Sequence, residues 1–165
     1  MNLNEFYDYK NQLAGDILTN EKLVHLLNKD VRLEDASKLM YSQVFPYEYI
    51  PETIEHGSSF ICFDVDIQKS LNKTFYAPTL YIWVFSHSSL LRNEDGIISD
   101  MICCELADML NGSRNYGLGE LDLYSVKRFS PMTDYQGKVM TFYAEDFNRT
   151  ALNSKPIPTN RKRVV

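Results

Sequence analysis

A chain of 165 residues that is 44% hydrophobic and 24% charged has apolar side chains enough for one core and too little length for two, which excludes a disordered or multidomain protein. No apolar run approaches the roughly 20 residues that cross a bilayer, and the opening MNLNEFYDYK has neither the basic nor the apolar region of a signal peptide, so a cytosolic protein is expected. The formal charge of −5 is unevenly spread: residues 1–147 carry 12 basic against 22 acidic groups, a charge of −10, and residues 148–165 carry +5.

That division sets the expected organisation. Residues 1–147 form a single domain. Residues 148–165, NRTALNSKPIPTNRKRVV, hold two prolines, few large apolar side chains and the Arg161-Lys162-Arg163 cluster, and read as an extended basic C-terminal arm. Three cysteines, Cys62, Cys103 and Cys104, are an odd number with two adjacent, so buried, reduced thiols are expected and neither a disulfide framework nor a zinc site.

Along the chain, Leu23, Val24, Leu26 and Leu27 recur at helical spacing after Thr19 or Asn20 as the N-cap. MYSQVFPYEYIPET, with Pro46 and Pro51, reads as an extended connector ending at His56-Gly57. In SFICFDVDI, Ile61, Phe63, Val65 and Ile67 alternate with Phe60, Cys62, Asp64 and Asp66, the period of a strand. A polar loop of hairpin character, 68–78, leads to TLYIWVFSH, where Leu80, Ile82 and Val84 alternate with Tyr81, Trp83 and Phe85. With both faces apolar, this strand is central in its sheet or covered on one face by another subunit. EDGIISDMICCELADMLNG has the spacing, acidic start and Asn-Gly stop of an amphipathic helix. GELDLYSVKRF and YQGKVMTFYAEDF read as two more strands, with Tyr135-Gln136-Gly137 in the turn between them. The order α-β-β-α-β-β predicts an α+β fold, a mainly antiparallel four-stranded sheet with helices packed on one face.

Chemistry is sparse. Ser86, His87, Ser88 and Ser89 suggest nucleophilic catalysis, but neighbours on a strand point to opposite faces and no GxSxG elbow is present, so His87 reads as a strand-end surface or capping residue. His25 and His56 add no ligand set. Asp64 and Asp66 share a face that could hold a divalent cation, although two carboxylates alone read more simply as a solvated face or subunit contact. Gly117 and Gly119 precede a strand, not a helix, and read as turn residues rather than a phosphate loop. Glu145 and Asp146 have no evident partner across a cleft. No catalytic, metal or cofactor site is expected, and no enzyme.

The layout as a whole, LVHLLNKD, VFPYEYIPE, FICFDVDI, then LYIWVFSH leading through Asp95-Gly96 into IISDMICCELADMLNG, then RFSPMTDYQGKVMTFYAEDF, resembles the tail-terminator, or tail-completion, proteins of long-tailed bacteriophages over roughly residues 20–147. The resemblance rests on element order, the Trp-containing strand before the long helix and the last hairpin. It implies a small α+β virion protein, assembled in the host cytoplasm, that forms a ring with copies of itself, usually a hexamer. The ring would sit at the head-proximal end of the tail tube, between the tube protein and the head-tail connector. Nucleic acid would only pass through the ring, and no membrane would be involved. Within that picture the contact residues are Lys69, Lys73 and Phe75 in the 68–78 loop, Arg149, Arg161, Lys162 and Arg163 in the arm, and Tyr81, Trp83 and Phe85 as packing anchors, with ordinary core as the plain reading of the three aromatics. Other head-tail connector or neck-completion proteins share this size and ring logic, and a non-viral interaction module would have a similar composition.

Overall fold

A computed structural model describes residues 3–51, 57–69 and 75–147, without the side chains of Asn4, Lys69 and Phe147. The first long element is one the periodicity reading missed: α1, Phe6–Thr19, buries Tyr9, Leu13, Ala14 and Ile17 along a single stripe. It stops because Asn20 is extended and serves as the N-cap of α2, Glu21–Leu27. The Asn20 side-chain oxygen accepts from Lys22 N at 3.1 Å and Leu23 N at 3.2 Å. The amide nitrogen of the same residue donates to Glu105 Oε1 at 3.0 Å on α3, Ile98–Leu110, so one side chain caps a helix and ties it to another. That hydrogen bond, with Lys22 beside it, holds the Glu105 carboxyl below its usual range.

The connector is more structured than its prolines suggest. A 3-10 helix spans Leu33–Leu39, and Val44–Phe45 forms a short strand β1 that pairs in parallel with β2, Ser59–Lys69. Buried Gln43 stitches this corner, its amide donating to Leu27 O and Ser59 O, each at 2.9 Å.

Strand β2 runs antiparallel to β3, Phe75–His87, over eleven residue pairs from Ser59↔Ser86 to Lys69↔Tyr76. Most of the expected 68–78 loop is therefore strand. On its other side β3 pairs with β5, Tyr135–Tyr143, and β5 pairs with the edge strand β4, Asp122–Phe129. A last short strand, β6, Asp146–Phe147, meets β3 at Phe75 and Tyr76. Thr79↔Tyr143 and Tyr76↔Asp146 share one register, so β6 continues the line of β5. The ladder is interrupted opposite Pro78, whose carbonyl accepts from Ala144 N at 3.1 Å but which has no N–H to return.

The fold is α+β, and its sheet is larger than the predicted four antiparallel strands: the order is β1-β2-β3-β5-β4, with β1 parallel and β6 beside β3. The turn before β5 is also displaced. Tyr135–Gly137 lies inside β5, and the reversal occurs at residues 131–134, closed by Ser130 Oγ donating to Tyr135 O at 2.7 Å.

One face of the sheet carries Ile61, Phe63, Val65, Leu80, Ile82, Val84, Met140 and Phe142 into the main core. They pack there with the buried residues of α1, α2 and α3. The 111–121 segment closes one end of this core. Tyr116 is buried and hydrogen-bonded to Asp16, and burial together with that carboxylate pushes its phenol up. Gly117, at φ +69°, lets the backbone lie against the Tyr9 ring where a side chain would collide.

Candidate functional site: the open face of the sheet

Residues directly opposite one another on adjacent strands share a face, so the register writes out the second face row by row. Phe60, Phe85, Gly137 and Phe129 form one row; Cys62, Trp83, Val139 and Lys127 the next; then Asp64, Tyr81, Thr141 and Ser125; then Asp66, Thr79, Tyr143 and Asp122. Gln68 and Ala77 begin a fifth, which the shared register of β5 and β6 completes with Glu145.

The first row anchors a small second core that also takes in Cys62 of the second row. Phe45, Phe60, Cys62, Phe85 and Tyr135 are buried together, with Tyr49, Trp83, Phe129 and Met132 packed against them, and Phe45 stacks on Tyr49 with centroids 4.0 Å apart. The connector thus folds over one end of the face. Beyond it, no described segment covers the sheet.

The uncovered rows are aromatic in the middle and acidic at the margins. Tyr81 and Trp83, both half-buried, stack with centroids 6.0 Å apart. Tyr124 and Tyr143, 64% and 44% exposed, lie 4.5 Å apart. Tyr124 reaches this face because the β4 register shifts between Leu123 and Ser125, leaving it the extra residue of a bulge. Asp64, Asp66, Asp122 and Glu145 surround the rings, and Lys127 is the one cation in the rows. Lys10 of α1 comes round the sheet edge to Asp64 Oδ1 at 2.5 Å, also donating to Pro46 O at 3.1 Å, which fixes α1 and the connector to β2. A hollow of about 430 Å³ at the acidic end is lined by Gln68, Thr79, Tyr81, Glu120, Asp122 and Glu145 among others.

The expected contact residues separate sharply. Trp83 and Tyr81 stand on the open face, whereas Phe85 is fully buried in the second core and is unavailable to a partner in this conformation. Phe75 stands at the start of β3 beside β6. Lys69 ends β2, and Lys73, Arg149, Arg161, Lys162 and Arg163 lie outside the described residues, as does His56. Tyr124 and Tyr143 were missed: the bulge places Tyr124 against the period-two pattern, and Tyr143 is the edge of a row visible only in the register.

The histidine and serine cluster resolves into local structure. His87 Nδ1 lies 2.7 Å from Ser89 Oγ and accepts from Ser89 N at 3.2 Å, capping the 3-10 turn Ser88–Leu90. Ser86 points to the opposite side, where its hydroxyl pairs with that of Ser59 at 2.8 Å in a buried position. Gly57 passes so close to His87 and Ser89 that a Cβ there would collide with both, which leaves no room for a substrate at that point. A wider groove of about 950 Å³ between α2, α3 and the 89–97 loop is lined by alternating charges, including Lys22, Lys29, Glu94 and Asp108, over Leu26 and Met101. Among the described residues no three His, Cys, Asp or Glu side chains are placed to hold a metal ion, and no helix is long and apolar enough to cross a membrane.

The thiols differ in the same way as the aromatics. Burial pushes Cys62 and Cys103 up to about 12, whereas Cys104, expected to be buried with them, is exposed because its neighbour Cys103 takes the inward side of α3. A thiol titrating that high is ionised in only about one molecule in 10,000 at pH 8. An aromatic disulfide reagent at pH 8 is therefore expected to modify one thiol per native chain promptly and all three after denaturation. Prompt modification of two or three would show that the cores open readily.

These observations define an α+β domain built on one mixed sheet, helices on one face and an aromatic, acid-rimmed surface on the other. A family model named YomW matches residues 20–144, most of the chain, and the chain belongs to the YomW family. No curated protein and no solved structure matches it.

Proposed function

We propose that this chain is a structural subunit of a bacteriophage neck or tail, forming a ring that caps the tail tube and joins it to the head connector. One observation carries the reading. A sheet that buries one face under helices leaves on the other four aromatic rings in two contacting pairs, Tyr81 with Trp83 partly exposed and Tyr124 with Tyr143 at 64% and 44% exposure. Clustered Tyr and Trp are enriched where protein surfaces meet, and a contiguous exposed aromatic patch marks an interaction site. The second core holds the connector down at one end, so the face is rigid before a partner arrives.

In this reading copies meet through the open face, and closure of the ring follows from repeating one contact around an axis. Binding on the last tube ring blocks further tube growth by covering its surface, and the opposite side of the ring offers new contacts to the connector. Neither step needs covalent chemistry. Native mass spectrometry and negative-stain imaging, with and without tube protein, test it. Closed rings, or caps at one end of purified tubes, are the expected result. A chain that neither self-associates nor binds tubes overturns the ring reading and points to an interaction module outside the virion.

A further inference from the structure

The open face and the C-terminal residues complement each other in two independent respects. The first is charge: four carboxylates stand in the exposed rows against Lys127 and against Lys10 of α1, which pairs with Asp64, and residues 148–165 carry five basic and no acidic side chains. The second is shape. The C-terminal residues contain Lys155-Pro156-Ile157-Pro158, a proline pair set just ahead of the Arg161-Lys162-Arg163 cluster. Proline-containing segments seat on aromatic platforms because their backbone is already restricted and loses little freedom on binding.

We propose that residues 148–165 of a second copy lie across this face, with Pro156 and Pro158 on Tyr81 and Trp83 and the Arg161-Lys162-Arg163 cluster among Asp66, Asp122 and Glu145. The spacing agrees. From the Trp83 row to Asp122 is four residues along and two strands across, a diagonal of about 16 Å at ~3.3 Å per residue and ~4.8 Å per strand. The five steps from Pro156 to Arg161 span about 16 Å at ~3.1 Å each. The identity of the occupant rests on the ring reading, in which copies meet. Eighteen residues beyond Phe147 reach up to about 60 Å, against about 40 Å across a domain of this size, so the segment can pass to a neighbour.

The test uses the full-length chain carrying the photo-cross-linking residue p-benzoylphenylalanine in place of Tyr124, and separately of Tyr143. Equal amounts of ¹⁵N-labelled and unlabelled chains are mixed, irradiated and digested. Cross-links from both positions to peptides within 148–165, joining heavy to light copies, are the expected result. Asp66→Lys with Asp122→Lys should lower their yield at least about tenfold, and Arg161→Glu, Lys162→Glu and Arg163→Glu together should restore it. Cross-links within single copies only, cross-links to other segments, or none at all overturn the proposal. Native mass spectra of the same mixture separate the two readings. Rings without cross-links to 148–165 remove this occupant and leave the ring. Absence of self-association removes the occupant, and the ring then stands or falls on binding to tubes.

Discussion

Valine at position 137 is expected to leave little folded protein. Gly137 lies in β5 between Phe85 of β3 and Phe129 of β4, and a Cβ there would overlap the carbonyl oxygen of Val84 and crowd the Phe85 Cα. Those atoms belong to the backbone of the central strand, which cannot rotate away as a side chain would. The obstacle is close approach rather than a left-handed backbone. Relief requires β5 to move, and β4 is held to the sheet only through β5. Overpacking of this kind costs about 3 kcal/mol or more, a large share of the ~5–15 kcal/mol that holds a domain together. Gly137→Ala should lower Tm by about 6–12 °C, and Gly137→Val should fail to accumulate in soluble form. An alanine variant melting within about 2 °C of the parent would show that the strands separate at no cost, and that the close approach places no demand on this position.

Gly137 also shows where sequence reasoning reaches its limit. A glycine after Tyr-Gln between two apolar runs has the appearance of a turn, because turns are the commonest reason for a glycine there. Its actual reason, another strand passing within van der Waals range, is set by residues fifty positions away. The same distinction runs through the fold. Alternation over residues 60–67 of β2 and 80–85 of β3 assigns those side chains to their correct faces, since period two is local information, and the Ile98–Leu110 helix is legible from its own stripe and stop signal. The parallel contact of β1 with β2, the break between β5 and β6 opposite Pro78, and the bulge that turns Tyr124 outward each depend on a neighbouring strand. Of the candidate surface, Tyr81, Trp83 and the shared face of Asp64 and Asp66 were legible, and Tyr124, Tyr143, Asp122 and Glu145 were not. The open setting of Tyr81 and Trp83 depends on how far the connector reaches over the sheet: it covers Cys62 in the Trp83 row, leaves Trp83 partly exposed at its margin, and stops before the Tyr81 row.

The step from the Phe85 row to the Trp83 row is expected to separate stability from assembly. Phe85 and Trp83 are two residues apart on the same face of the same strand, yet Phe85 is fully enclosed by Phe60, Phe129 and Tyr135, with centroids 5.2, 5.9 and 5.7 Å away, whereas Trp83 has one side open. Phe85→Ala removes a buried ring and leaves a cavity, a loss of about 3–5 kcal/mol that urea unfolding should register. Trp83→Ser combined with Tyr124→Ser removes rings that water already reaches. The folded chain should lose less than about 2 kcal/mol, with little change in its circular dichroism. Assembly should respond in the opposite order. Aromatic anchors at the centre of an interface each contribute about 2 kcal/mol or more, so the double variant should weaken association between copies at least 30-fold or so. Ring yield should collapse in a protein that remains folded. A double variant that assembles as the parent does would show that the open face meets solvent rather than another subunit, however many rings it displays.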